Sequence, residues 1–339
     1  MQGNRTVKTV LVLGGRGRFG LAAVRAFAAH GWRVMAQIRP EANAPDAAGV
    51  EWLRLAVDDS AALTQAALGA TVVVHALNPV YTRWESDAMP LLDAGIRVAR
   101  QLGALLMLPG NVYNFGAGMP ALLSEDTPQL AHTRKGKIRV AMERRMQQVA
   151  TLDGVRSVVI QAGDFFGSGT GSWFDRVLAK DISRGKMTYP GSHDLPTAWA
   201  YLPDLASAFV RVADKSPELP DCLAPFEQFH FRGHSLSGAD WAEQLTDIAL
   251  DQGWLAPDGQ LKLGSLPRSL LKYGGLLVPM WRELAEMRYL WQTPHALSGG
   301  KLAALIGPEP RTELAVAVQQ SLQELGKTRR MACAGPVWA

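Results

Sequence analysis

The chain has 339 residues, 47% of them hydrophobic and 19% charged, with a mean hydropathy of −0.01. That composition excludes disorder as the dominant state and supplies a core for one large α/β domain or two ordinary ones, without disulfide or metal staples. Lysine and arginine total 35 against 31 acids, a net charge of +4, less than a dedicated nucleic-acid binder of this size carries. No apolar run approaches the ~20 residues of a membrane span, and the first, Val10–Leu13, stops at Gly14 before a signal-peptide core forms. Cys222 and Cys333 have no metal-ligand spacing, and so few cysteines fit a reducing compartment, which makes the cytoplasm the expected address.

In chain order, Thr9–Leu13 reads as a fully buried strand, Gly20–His30 as a helix with Leu21, Val24 and Phe27 on its apolar positions, and Arg33–Ile38 as the next strand. Strands follow at Trp52–Val57, Thr71–Ala76, Ala104–Leu108 and Ser157–Ile160, with helices at Ser60–Leu68, Pro90–Leu102 and Thr133–Leu152. This alternation predicts an α/β fold, a Rossmann-type doubly wound parallel sheet covered on both faces. Beyond about residue 164 the alternation breaks, and helices are expected at Ser172–Ile182, Leu202–Ala213, Ser237–Gln252, Pro279–Trp291 and Arg311–Leu325. The expected organisation is a nucleotide-binding domain from residues 1–164 and 197–235, and a smaller, mostly helical C-terminal substrate domain from 165–196 and 236–330.

The strongest local signal is Gly14-Gly15-Arg16-Gly17-Arg18-Phe19-Gly20, between the first strand and the first helix. Glycines at 14, 17 and 20 stand where the chain turns off the strand, where backbone approaches a pyrophosphate and where helix meets sheet. The helix N-terminus adds amide donors and a positive dipole end. After the second strand an acid would accept from ribose hydroxyls, but this chain has Ile38 and Arg39. Arg39, with Arg16, could face a 2′-phosphate, so NADP is the expected cofactor and NAD the alternative. Ala76, Leu77 and Asn78, at the C-terminal edge of the fourth strand, form a lip of the cofactor crevice, and Tyr81, Arg83 and Trp84 follow as an aromatic wall with a cation or as a simple loop anchor.

With the glycine loop, four further stretches resemble the extended or atypical short-chain dehydrogenases/reductases of the NAD-dependent epimerase/dehydratase group. They are Gly110–Gly116 as a VYG-like loop, Ser124–Pro128 as the acidic segment, Gln161–Gly167 as the RPGxxYG-like segment and Tyr201–Ala206 as the HVDDVA-like segment. The resemblance spans about residues 8–235. It implies cofactor contacts at Gly163 and at Asp58, whose alternative is an ordinary turn aspartate. That family uses a Tyr-x-x-x-Lys pair on a helix and an upstream Ser or Thr. Aligned here, Thr133 stands for the tyrosine, Lys137 for the lysine and Asn111 for the Ser/Thr, with Thr133 and Lys137 expected on one helical face. Lys137 would hold the nicotinamide ribose, Asn111 the substrate oxygen, and Tyr113 is the nearest tyrosine to replace the missing acid.

Two functions remain. One is an NAD(P)-dependent oxidoreductase or epimerase/dehydratase-like enzyme acting on a small oxygenated substrate. The other is a weak or inactive NADP-binding sensor on the same scaffold. The expected partner is a small molecule, neither nucleic acid nor membrane. His193, His230 and His234 have no metal spacing, and none is expected. The tryptophans of the second half read as core. Ile138, Met142, Met146 and Val149 form a stripe that suggests a C2 homodimer through the helices 90–102 and 133–150.

Overall fold

Strands β1 (Thr9–Leu13), β2 (Arg33–Ile38), β3 (Val50–Arg54), β4 (Val72–His75), β5 (Leu105–Asn111), β7 (Ser157–Ala162) and β11 (Phe226–His230) form one parallel sheet in the order β11-β7-β5-β4-β1-β2-β3. The structure is a computed structural model that describes residues 7–216, 223–265 and 285–328. The central strands β1 and β4 and the start of β5 read as near-continuous apolar runs because both faces are covered. Val10 and Val12 pack towards helices α1 (Arg18–Ala29) and α5 (Leu202–Asp214), whereas Leu11 and Leu13 pack towards α2 (Ser60–Ala66), α3 (Trp84–Leu102) and α4 (Arg134–Leu152). Alanines at 22 and 23 let α1 approach α5 closely, and Phe19 meets Phe209 edge-on at 4.8 Å.

At Gly163 the chain changes sheets. β8 (Asp164–Phe166) pairs with β10 (Thr197–Tyr201), which pairs with β12 (His234–Leu236). Residues 197–201, expected in the nucleotide-binding part, thus join this second sheet, while α5 and β11 return to the first. Two short parallel pairs complete the strands, β6 (Leu122–Leu123) with β14 (Ala296–Leu297) and β9 (Lys186–Tyr189) with β13 (Lys262–Ser265). Helices α6 (Gly238–Asp251) and α8 (Leu314–Glu324) pack into the second core, and the short α7 (Gly300–Ile306) leans on β11.

The second core is built on Phe166, Phe174, Trp199 and Trp241, whose rings interlock. Trp199, Trp241 and Trp291 are fully buried, in agreement with the core reading, and Trp281 lies outside the described residues, as do Cys222 and Cys333. The helix expected at Ser172–Ile182 does not form; a single π turn (Phe174–Leu178) and a 3-10 turn (Ile182–Arg184) stand there. Ser172 and Asp175 cap the start of this segment reciprocally, the Asp175 carboxylate accepting from the Gly171 and Ser172 amides and the Ser172 hydroxyl from Asp175 N. Of the expected Pro279–Trp291 helix, residues 279–284 lie outside the described residues and Arg288–Trp291 is a 3-10 turn.

α4 is fixed to the sheet by a buried carboxylate. Glu143 accepts from Gln161 at 3.0 Å, from Gln129 at 2.7 Å and from Gln228 at 2.5 Å. Burial pushes its carboxyl pKa up, and the bonds from Gln161 and Gln129 work the other way. Met142, Met146 and Val149 of the proposed dimer stripe lie in the same core against the sheet, so the stripe is already occupied. The outer surfaces of α3 and α4 carry Arg97, Arg100, Lys137 and Arg144 instead. Among the described residues no helix is long and apolar enough to cross a membrane.

Two measurements test this packing. A Cβ on Gly163 would lie 2.1 Å from the Ala198 carbonyl oxygen, and backbone cannot step aside. Gly163→Ala is therefore expected to destabilise by about 1–3 kcal/mol in urea unfolding without cofactor. His75, at the end of β4, is buried with Nε2 3.1 Å from the Leu91 carbonyl, and burial pulls its pKa to about 4. The unfolded chain takes up that proton first, so His75 contributes stability that is full above pH 6.5 and falls away towards pH 4, by up to about 3 kcal/mol. Urea midpoints at pH 7 and pH 4.5 are expected to differ less for His75→Gln than for the parent chain.

Candidate active site

Gly14 leaves β1 at φ +80°, a left-handed conformation that favours glycine. The turn is held from β2, because Gln37 Oε1 accepts from Gly14 N (3.0 Å) and the Gln37 carbonyl accepts from Gly15 N (2.9 Å). A Cβ on Gly20 would sit 2.2 Å from the Gly14 carbonyl oxygen, so α1 rests directly on the loop. Gly17 differs from both. Its φ of −64° is open to any residue, and a Cβ there would meet only the Gly14 oxygen at 3.3 Å and the Ala76 oxygen at 3.7 Å. It caps α1 without a side-chain acceptor, and the first turn of α1 carries no acid, so the positive helix end has no resident counter-charge from those positions.

The neighbouring positions divide. Phe19 is core, leaving only its backbone to the loop. Arg18 donates to the carbonyls of Phe165 (3.3 Å) and Gly167 (2.8 Å), burial lowers its pKa to about 10, and its Nε is buried without a partner. Ala76 and Leu77 line the turn beneath Gly14, with the exposed Asn78 next. Arg16 and Arg39 are exposed, and Arg39 makes a loose pair with Glu41 at 3.7 Å, an acid the sequence reading passed over. Asp58 is an exposed turn residue, and its neighbour Asp59 caps α2 through Ala62 N. Gly163 packs under the Ala198–Trp199 backbone. These positions fit a dinucleotide: a cradle that a Cβ on Gly17 would narrow, an uncapped helix end and an orphaned guanidinium nitrogen.

At the other end of the crevice Asn111 closes β5, and its Oδ1 accepts from Tyr113 N (3.1 Å), an Asx-type turn that leaves the amide NH2 as its donor. Thr133 and Lys137 do not share a face. Thr133 is the N-cap of α4, in extended conformation, and its buried hydroxyl accepts from Gly136 N at 3.1 Å. The helix begins one residue later, so its buried stripe runs through Lys135, Arg139 and Glu143, and Lys137 is exposed. Sequence reasoning missed Lys135 and Arg139. Reading Thr133 as a capping residue would have set the phase and found them. Lys135 Nζ lies 4.1 Å from the Tyr81 ring centroid and the Arg139 guanidinium 4.8 Å from that of Trp84, so the aromatic wall after β4 meets the cations of α4. Arg83 is engaged with Asp87 at 3.1 Å.

A segment of the second half closes this end. Glu286 holds the start of α4 through the Arg134 amide and guanidinium. Three residues on, the Tyr289 hydroxyl lies 3.4 Å from the Tyr113 carbonyl and shares a hydrogen bond with Thr133. Trp291 Nε1 then donates to Asp164 Oδ2 at 3.1 Å. The phenols of Tyr113 and Tyr289 are both pushed up, first by burial and further by the charge of Asp164. Among the described residues no three His, Cys, Asp or Glu side chains gather as a metal site.

The model of the NmrA-like family matches residues 6–98, from β1 into α3. No curated protein matches. Among solved structures, a Burkholderia cenocepacia protein assigned as an epimerase superposes with a TM-score of 0.73 at 16% identity, covering 94% of this chain and 98% of that one. A nucleoside-diphosphate-sugar epimerase of Pseudomonas aeruginosa gives 0.70 at 17% identity over 94% and 97%. The Bordetella bronchiseptica enzyme WbmH, solved in complex with NAD+, gives 0.68 at 15% identity over 94% and 98%. As 1344 solved chains match, the fold is common and does not choose a chemistry. The chain thus has the fold of these epimerase structures, with an NmrA-like stretch over residues 6–98.

Proposed function

We propose that the protein is an NAD(P)-dependent oxidoreductase or epimerase/dehydratase-like enzyme acting on a small oxygenated substrate. The observation that carries this reading is Gly17, whose backbone angle is open to any residue and whose Cβ would meet a single tight contact, the Gly14 oxygen at 3.3 Å, while a closely approaching pyrophosphate would demand glycine there. The nicotinamide supplies or accepts a hydride, and the chain's residues do the rest. The turn at residues 14–20 and the α1 amides hold the pyrophosphate, with Arg18 Nε as a further donor. Ala76 to Asn78 wall the crevice. The Asn111 amide offers a donor to a substrate oxygen, and the Tyr81, Trp84 and Tyr113 rings exclude water. NADP is favoured by Arg39 and by the absence of an acid at position 38.

A second reading, a cofactor-binding sensor, draws on one observation. The hydroxyl that aligns with the family's tyrosine is committed to capping α4. Turnover separates the two, since a sensor binds NADPH without consuming it.

Gly17→Val is expected to weaken NADPH binding by at least about tenfold, or 1.4 kcal/mol, while changing the melting temperature little. Calorimetric titration and thermal unfolding of both chains check this, and equal affinity would remove the cofactor reading. NADPH is expected to bind more tightly than NADH, and Arg39→Asp to erase or reverse that order. Equal dissociation constants in the parent chain would sink the preference.

A further inference from the structure

The site lacks the tyrosine that its relatives by resemblance use, and Lys137, aligned to that tyrosine's lysine, faces solvent. The proton that must accompany a hydride needs another carrier. Tyr113 and Tyr289 are close but have phenols pushed well above their ordinary range. Asp164 is placed differently. It follows the sheet switch at Gly163, and its strand leaves the main sheet two residues after Ala162, the register partner of Asn111. β8 therefore starts just beyond the edge at which Asn111 ends β5, and the Asp164 carboxylate is near enough to the Tyr113 phenol to raise it. Asp164 keeps partial exposure, whereas Gln161, Ala162 and Gly163 before it are buried.

The surroundings of Asp164 suit a titrating carboxylate. Trp291 Nε1 from the closing segment is its hydrogen-bond donor among the described residues. Its field reaches the hydroxyls of Tyr113 from the end of β5, Tyr189 from β9 and Tyr289 from the closing segment. On the adjacent strand its register partner is Trp199, which carries no charge. On the α1 side Arg18 binds the next carbonyl, that of Phe165, rather than the Asp164 carboxylate.

We propose that Asp164 is the proton carrier of this site, donating its carboxyl proton to a substrate carbonyl oxygen as hydride reaches the carbonyl carbon, and taking it back in the reverse direction. In the reduction, hydride from the reduced nicotinamide forms the new C–H bond, the carbonyl π bond breaks, and Asp164 supplies the O–H proton, to be reprotonated from water. The proposal rests on the dinucleotide-binding reading. Burial pushes the Asp164 carboxyl up to about 6, against the Trp291 hydrogen bond, near the range in which a general acid or base operates best. Reduction therefore slows as pH rises through about 6, and oxidation speeds up over the same interval.

The test uses the full-length chain and Asp164→Asn, followed by infrared difference titration with NADP+, with NADPH and without cofactor. A protonated-carboxyl band titrating near pH 6 is expected in the parent and absent in the variant. NADP+ should move that titration to lower pH relative to NADPH, because the cationic nicotinamide ring favours a neighbouring carboxylate. A band unmoved by either bound cofactor, or none that Asp164→Asn removes, overturns the proposal and leaves the cofactor reading intact. Failure of NADP(H) and NAD(H) alike to bind in calorimetry overturns both. With phenanthrenequinone and diacetyl as carbonyl probes, the variant should lose about 10²–10⁴-fold in NADPH oxidation and its pH dependence near 6. A parent-like rate in the variant also rejects the proposal. Trp291→Phe keeps the test open if the variant misfolds, since loss of the indole donor should raise the pH at which the band titrates.

Discussion

A Cβ on Gly163 would fall 2.1 Å from the Ala198 carbonyl oxygen and 2.6 Å from Trp199 N. That close passage lets one chain finish β7 in the parallel sheet and begin β8 in the second sheet with a single residue between. The crossing fixes where Asp164 stands relative to Asn111, since β5 and β7 are in register up to Asn111 and Ala162. It also sets the height at which the second sheet, and the aromatic core built on Phe166 and Trp241, meets the open edge of the first.

The second constraint is the placement of α4. Thr133 caps it, Glu286 pins its start, and Glu143, buried among three glutamines, locks its middle to β7 and β11. Removing Glu143 would leave amide donors unsatisfied, the costlier side of a buried hydrogen bond. His230 extends the network, with Nε2 2.8 Å from Gln161 Oε1 and its amide bonded to Glu125. This packing sets the phase of the helix, and the phase decides which cations reach the site. Lys135 and Arg139 do, and they are set against aromatic rings.

The electrostatic character of the site follows. In the family resembled, a lysine lowers the tyrosine it serves. Here the phenols near the crevice feel a carboxylate and their own burial, both of which raise them. Arg139, which does work to lower Tyr113, is itself buried and has Glu143 one turn along the helix. The balance of protonation thus passes from phenol to carboxyl.

The parallel sheet, the glycine turn and the helices flanking them were legible in the sequence because buried strands, a βα turn and amphipathic stretches are properties of short windows. So was the loss of the family tyrosine, which needs only the letters at residues 132–137. The buried face of α4 was not, since Thr133 is buried as the cap and not as part of a helical face, and which i, i+4 series lies on the sheet is decided by Glu143 and its glutamine partners. The turns at 172–184 were missed because Ser172 and Asp175 give the cap that starts a helix, while the chain beyond Leu178 breaks into a 3-10 turn that no short window announces. Nor could the sequence bring Tyr289 and Trp291 to Asp164, more than a hundred positions away. That meeting depends on two sheets crossing at Gly163 and on Glu286 finding the start of α4, contacts that exist only once the chain is folded.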